Sequence, residues 1–294
     1  MSLIAAMFYS VSSAMLTRTL KFRWAESHAQ KSDFGPGFTA VASAQVAAGY
    51  SLNDREQTIK ASKFHRLTLG CATIAVIIHG WIVIHQTGLP HTLALPLFTS
   101  LSTTALTIVL MHIVICLRQP ADYLGIAVYP LAAVTLIVSQ ASGGGTPITG
   151  STVQIHVLLS LVSYAMLALA AMQAVLVSIQ RHFLSVHKPG GLIRSLPPLD
   201  TTERLLFTLI GAGFVLLSLA LLSGFVYLDN MFDQRVVHKT VLSCIGWGIF
   251  GTLLYGRWQF GWRGKKAVHW TLGGFGVLIL AFFGTKAVIE FVLG

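Results

Sequence analysis

Long apolar runs separated by polar breaks set the pattern of this chain. Runs long enough to cross about 30 Å of hydrocarbon occur at residues 1–17, 65–86, 95–116, 121–140, 155–179, 204–228, 239–257 and 267–292. Inside a bilayer each backbone N–H and C=O has to be satisfied within the protein, so an isolated apolar run of this length is expected to be a helix. The pattern predicts an all-α fold, a polytopic membrane protein with about eight transmembrane helices. It divides the chain into a first transmembrane helix plus cytoplasmic insertion loop at 1–64 and a seven-helix membrane domain at 65–294.

The polar breaks orient these spans. When alternate loops are placed on opposite sides, those after the first, third, fifth and seventh spans hold 17 of the 20 Lys and Arg. The other side has Arg235 and Lys239, and Lys286 lies inside the last span, four residues before Glu290. Positive charge marks the cytoplasmic side, so both termini are expected outside the cytoplasm. The first run has no basic segment before it and has Arg18, Lys21 and Arg23 after it, the reverse of a secretory signal, which predicts a retained anchor. Residues 18–64 mix charge with a Gly- and Ala-rich middle, Gly35-Pro36-Gly37 to Gly49, and read as a partly disordered insertion. The uncharged outer segment Ser139–Ser151, SQASGGGTPITGS, either joins two helices or covers a ligand at the outer surface, and joining is the simpler reading.

Composition agrees: 54% hydrophobic and 10% charged residues, with a mean hydropathy of +0.72, make the lipid bilayer the solvent for most of the chain. A net charge of +10 would suggest nucleic acid in a soluble protein, but here it is spread over short loops and implies no such partner. Cys71, Cys116 and Cys244 each fall inside an apolar run with no CxxC pair, as expected of small buried residues. The chain carries no P-loop, dinucleotide fingerprint, nucleophile elbow or HExxH. No residue is assigned a catalytic role, and no catalytic activity of its own is expected.

Chemistry is sought among polar groups that lipid should not tolerate, here mainly the histidines. Of eleven, His28, His65, His182, His187 and His269 lie in or beside cytoplasmic loops, and His112 lies near the inner end of the third span. The other five, His79, His85, His91, His156 and His238, come from three hairpins, and the topology puts them all in the outer half or at the outer surface. His79, in IIHGW, lies about two turns below the outer end of its span, while His156 and His238 begin the fifth and seventh spans from outside. Two imidazoles at similar depth could supply the axial ligands of a haem iron, with His79 at a deeper site. Each could instead cap a helix, face water or bond a neighbouring helix. Trp81, Tyr164, Tyr227, Phe232 and Trp247 could wall a porphyrin, or form the interfacial belt that needs no ligand. Gly261-Trp262-Arg263-Gly264-Lys265-Lys266 reads as an inside anchor for the last hairpin.

Several stretches recur in one known family: His156-Val157 with Ser163-Tyr164-Ala165, Leu196-Pro197-Pro198-Leu199-Asp200 leading to Leu222-Ser223-Gly224, His238-Lys239-Thr240 ending at Trp247, Gly261 to Lys266, and Phe283-Gly284. In order and spacing they resemble the cytochrome c assembly family, which includes haem-handling membrane proteins of the CcsA type. The resemblance implies haem b as cofactor, with cytochrome c maturation proteins or apocytochrome c as partners. His156 matches the family's outer histidine and His79 its histidine within an early span. The tryptophan-rich loop of the family should lie between Gly224 and Lys239, yet GFVYLDNMFDQRVVHK has no Trp. The family's late seventh-span histidine is replaced by Tyr255-Gly256-Arg257, and His238 is read as the substitute second ligand. The expected function is haem binding or handling related to cytochrome c assembly. The alternative is a non-enzymatic membrane regulator or interaction protein that keeps the family scaffold. A small-molecule transporter is disfavoured, since the spans lack paired charges and paired broken helices.

Overall fold

The computed structural model describes residues 1–32, 66–88, 93–119, 121–141, 147–148, 151–186, 196–227 and 237–284. Among the described residues eight α-helices follow one another: α1 (Ser2–Ser32), α2 (Arg66–Thr87), α3 (Leu97–Cys116), α4 (Gly125–Ser139), α5 (Ser151–Ser185), α6 (Leu199–Tyr227), α7 (Val237–Phe260) and α8 (Lys265–Ile279). All but α7 contain or lie within segments long and apolar enough to cross a membrane, α4 counted from Asp122 and α8 through to Gly284. Helix α7 is 24 residues long, about 36 Å at the usual rise. Lys239 near its start and Arg257 near its end lower its hydropathy, and it packs between α6 and α8. The chain is an all-α polytopic membrane protein, as the run pattern predicts.

The helices form two groups. In the first, α4 packs on α1 and α3; in the second, α5 packs on α6 and α8, and α7 on α6 and α8. The groups meet where α3 packs on α5. Buried Tyr9 and Tyr129 fill the first group, and Leu167, Leu206, Ile210, Phe250 and Leu278 the second. Ile77, Trp81, Val134, Val215 and Leu222 are exposed large hydrophobics on the outside, where lipid rather than water is their solvent. Close approach between α5 and α6 depends on Gly213: a Cβ there would lie 2.6 Å from Leu167 Cδ2, the small-residue contact that lets membrane helices pack.

Two connections differ from expectation. Helix α1 continues to Ser32, so the start of the segment read as a partly disordered insertion is helical. No Gly or Pro interrupts that stretch before Gly35-Pro36-Gly37. The rest of the proposed insertion, 33–64, lies outside the described residues. The Ser139–Ser151 segment does more than join two helices, because its Pro147–Ile148 pairs antiparallel with Leu93–Ala94, Leu93 opposite Ile148.

At the opposite end a buried acid pins three elements. Glu203 Oε1 accepts from Arg181 Nη1 at 3.1 Å and its Oε2 lies 3.4 Å from Arg263 Nε, while Arg263 Nη2 reaches Asp200 at 3.1 Å. Gly264 has φ of 61°, and a Cβ there would strike the Arg181 guanidinium. The Gly261–Lys266 stretch read as a headgroup anchor therefore also locks the α7–α8 turn onto α5 and α6.

Candidate functional site

His156 occupies the second turn of α5 and is half-buried. Its Nδ1 lies 2.9 Å from Ser223 Oγ on α6, and the Ser223 hydroxyl itself donates to Ala220 O at 2.8 Å. A serine has one hydroxyl proton. With that proton directed at Ala220, Ser223 Oγ is an acceptor, as is the Ala220 carbonyl that also reaches the His156 ring. Two acceptors on one side of the ring favour the tautomer with the proton on Nδ1 and the lone pair on Nε2. Nε2 has no hydrogen-bond partner among the described residues. One nitrogen held by a donated hydrogen bond and the other presented as a lone pair is how proteins prepare an imidazole for a metal.

Beside His156 lies a pocket of about 380 Å³ between α5, α6, α7 and the end of α8, within the size range of ligand clefts. Leu217, Ala220 and Leu221 give an apolar wall from α6, Tyr164 and Val157 another from α5, and Lys239, Thr240 and Ser243 line it from α7. The last wall depends on a π-turn at Leu280–Gly284 that continues α8 and carries Ala281 and Phe282 into the lining. Such turns recur at functional sites. Phe282 stands 5.3 Å from the Tyr164 ring, and Lys239 Nζ lies 5.5 Å from the Phe282 centroid.

His238 is in the first turn of α7, next to Lys239; its side chain lies outside the described residues. His91, Phe232 and the Tyr227 side chain also lie outside them. Of the other aromatics proposed to wall a porphyrin, Tyr164 lines the pocket. Trp81 is exposed, edge-on to the exposed His85 at 4.5 Å. Trp247 stacks on Phe214 at 5.5 Å and donates to Ser218 Oγ at 2.8 Å, away from the pocket.

His79 sits in the first helix group, fully buried. Its Nδ1 is 3.1 Å from the Tyr9 hydroxyl of α1 and its Nε2 is 2.9 Å from Ser102 Oγ of α3. Both nitrogens are occupied, and the imidazole bonds three helices together. Tyr9 stacks on Tyr129 at 6.1 Å, and Tyr129 meets His112 edge-on at 5.4 Å. His112 approaches Ala121 O at 3.2 Å and Cys116 Sγ at 3.3 Å through Nε2, and its buried Nδ1 has no partner among the described residues. His79 and His156 share no hydrogen bond, ring contact or pocket wall among the described residues, so the two histidines serve separate neighbourhoods.

Among the described residues no group of three or more His, Cys, Asp or Glu could hold a bare metal ion, and the three cysteines are free. A neutral imidazole over an apolar, aromatic-walled pocket suits instead a metal that brings most of its own ligands, as iron does in a porphyrin.

The family model described as Cytochrome C assembly protein matches residues 71–293. The inner membrane protein YpjD of Escherichia coli is 36% identical over 138 residues, 47% of this chain and 52% of that protein. An uncharacterized 28.8 kDa protein of Azospirillum brasilense is 33% identical over 153 residues, covering 51% of this chain and 56% of its own. The cytochrome c biogenesis protein CcsA of Chlamydomonas reinhardtii is 25% identical over 155 residues, 52% of this chain and 43% of that one. The chain thus spans about half the length of the curated relatives it matches. No solved structure matches it.

Proposed function

Because the chain belongs to the cytochrome c assembly protein family, we propose that it binds haem b at the outer end of its second helix group and serves cytochrome c biogenesis. The observation that carries this reading is the His156 side chain, tied through Nδ1 to Ser223 and lining an apolar pocket with the rest of its ring. Bound haem supplies an iron already ligated by its ring, needing only axial donors. The chain's own residues would do the rest: Ser223 orients the His156 ring, His156 and His238 from the neighbouring helix would hold the iron, and Tyr164, Leu217 and Phe282 would keep water from the ligand. His79 enters as a second, deeper position, which requires its ring to give up Tyr9 or Ser102.

The sorting of Lys and Arg over alternate loops supports an orientation with both termini periplasmic, and the inner-membrane relative supports a bacterial inner membrane as the site. The pocket then faces the compartment where apocytochrome c and its maturation proteins work. The reading keeps residues 1–64 as an anchor with a cytoplasmic insertion and 65–294 as the membrane domain. The protein needs no catalytic step of its own: it holds and hands on haem.

The test is a Soret spectrum with a pyridine haemochrome assay on the purified protein, for wild type and for His156→Ala and His238→Ala. Near-stoichiometric haem that falls in both variants supports the reading. No haem in wild type after added haemin sinks it. One feature favours a second reading, a membrane regulator on the same scaffold: the segment from Gly224 to Lys239 has no Trp. A soluble partner that co-purifies, and is lost when residues 33–64 are deleted, would favour that reading.

A further inference from the structure

We propose that Lys239 binds a carboxylate: its ammonium pairs with the acid group of an amphiphile whose apolar body fills the pocket beside His156. The proposal rests on the haem reading of that pocket for the identity of the acid, a haem propionate.

Lys239 is a half-buried cation in a pocket otherwise walled mainly by apolar side chains. A charge withdrawn from water needs a partner. Among the described residues the ion pairs join Arg181 and Arg263 to Asp200 and Glu203, at the other end of α6 from the pocket residues Leu217 to Leu221. What Lys239 meets instead is the Phe282 ring, 5.5 Å from Nζ, a contact that holds the ammonium without neutralising it. Its place on the helix adds to this. Lys239 lies in the first turn of α7, where the macrodipole is positive and a cation is disfavoured unless an anion is present. A buried ammonium and the positive end of α7 thus lie side by side at the pocket wall. A wholly neutral ligand would leave both unsatisfied; an apolar molecule with a carboxylate at its edge satisfies them and the walls together. His156 on the α5 wall and Lys239 on the α7 wall then read different parts of one ligand, the first a metal at its centre and the second an acid at its rim.

The experiment titrates the full chain in detergent with haemin and with haemin dimethyl ester, which has no free acid, following the Soret band for wild type, Lys239→Met and Lys239→Arg. Wild type is expected to favour haemin over the ester by about tenfold. Lys239→Met should weaken haemin by about the same factor, leave the ester unchanged and so erase the preference. Lys239→Arg should restore it. Matching melting curves check that the variants fold. Equal binding of acid and ester by wild type overturns the proposal; it is the result expected if an acid of the chain's own outer segment, Asp229 or Asp233, already neutralises the ammonium. Equal weakening of both ligands in Lys239→Met overturns it too. If neither porphyrin binds wild type, the haem reading fails separately, and cis-parinaric acid becomes the probe. Fluorescence enhancement lost in Lys239→Met then supports a fatty carboxylate as the acid, and enhancement indifferent to Lys239, or absent, overturns the clamp.

Discussion

His79 and His156 are both imidazoles on helices of a lipid-embedded bundle, and they differ in what their second nitrogen does. At His79 both nitrogens meet hydroxyls from other helices, Tyr9 and Ser102, and the ring is fully buried. At His156 one nitrogen is tied to Ser223, the other is without a partner among the described residues, and an apolar pocket lies alongside. The first arrangement uses up the chemistry of histidine to join helices; the second holds it in reserve. What separates the two rings is the count of nitrogens already satisfied within the bundle, two at His79 and one at His156 among the described residues.

The sharpest way to break this comparison is to remove each ring in turn. His79→Ala leaves the Tyr9 and Ser102 hydroxyls without their partner and opens a cavity between α1, α2 and α3, a loss on the order of 3 kcal/mol. His156→Ala, at a half-buried position with one hydrogen bond, should cost below about 1 kcal/mol while lowering haem occupancy at least about tenfold. Unfolding titrations in SDS and pyridine haemochrome yields read the two effects. Equal destabilisation with equal haem loss would mean that the two histidines belong to one site. Any haem surviving in His156→Ala and absent from the double variant measures the deeper His79 position.

A smaller change sharpens the tautomer argument. Ser223→Ala removes the acceptor of the His156 Nδ1–H and frees the ring to turn, which should weaken haemin binding by on the order of tenfold, the usual weight of a partner behind a metal-bound histidine. Ser223→Thr, which keeps a hydroxyl, should bind as wild type does. If Ser223→Ala leaves the Soret titration untouched, Ser223 does not orient the ligand.

How far the sequence reveals these two sites follows from how far apart their parts lie. The spans are local, and hydropathy finds them; even α7, with a cation near each end, is legible as an apolar run between polar breaks. The end of α1 is not legible from hydropathy, which falls after the apolar run while helix formers continue to Ser32. His156 is legible from its position and from the family resemblance. Its partner is not: Ser223 is 67 residues away and Tyr9 is 70 residues from His79, and neither serine nor tyrosine in an apolar run signals a role. Phe282 reaches the pocket through a π-turn that no periodicity announces. The lock around Glu203 was within reach. The charge-sorted topology puts Arg181, Asp200, Glu203 and Arg263 on one side of the membrane, and acids at the start of α6 facing a basic loop predict such a pair.

The smallest change asks whether satisfaction alone makes His79 structural. Tyr9→Phe keeps the ring that stacks on Tyr129 and abuts His79, and deletes only the hydroxyl at Nδ1. Hydrogen bonds between membrane helices average about 0.6 kcal/mol and reach about 1.7, so the loss in an SDS titration should lie in that range. The same quantity is what iron must overcome to take that nitrogen. Freeing Nδ1 should therefore raise the affinity of His79 for iron by the matching factor, roughly 3- to 20-fold, seen as a larger residual Soret band in Tyr9→Phe/His156→Ala than in His156→Ala alone. A residual band that does not grow would mean that the packing around His79 excludes haem whichever nitrogen is free, and that the pocket, more than the lone pair, distinguishes the two histidines.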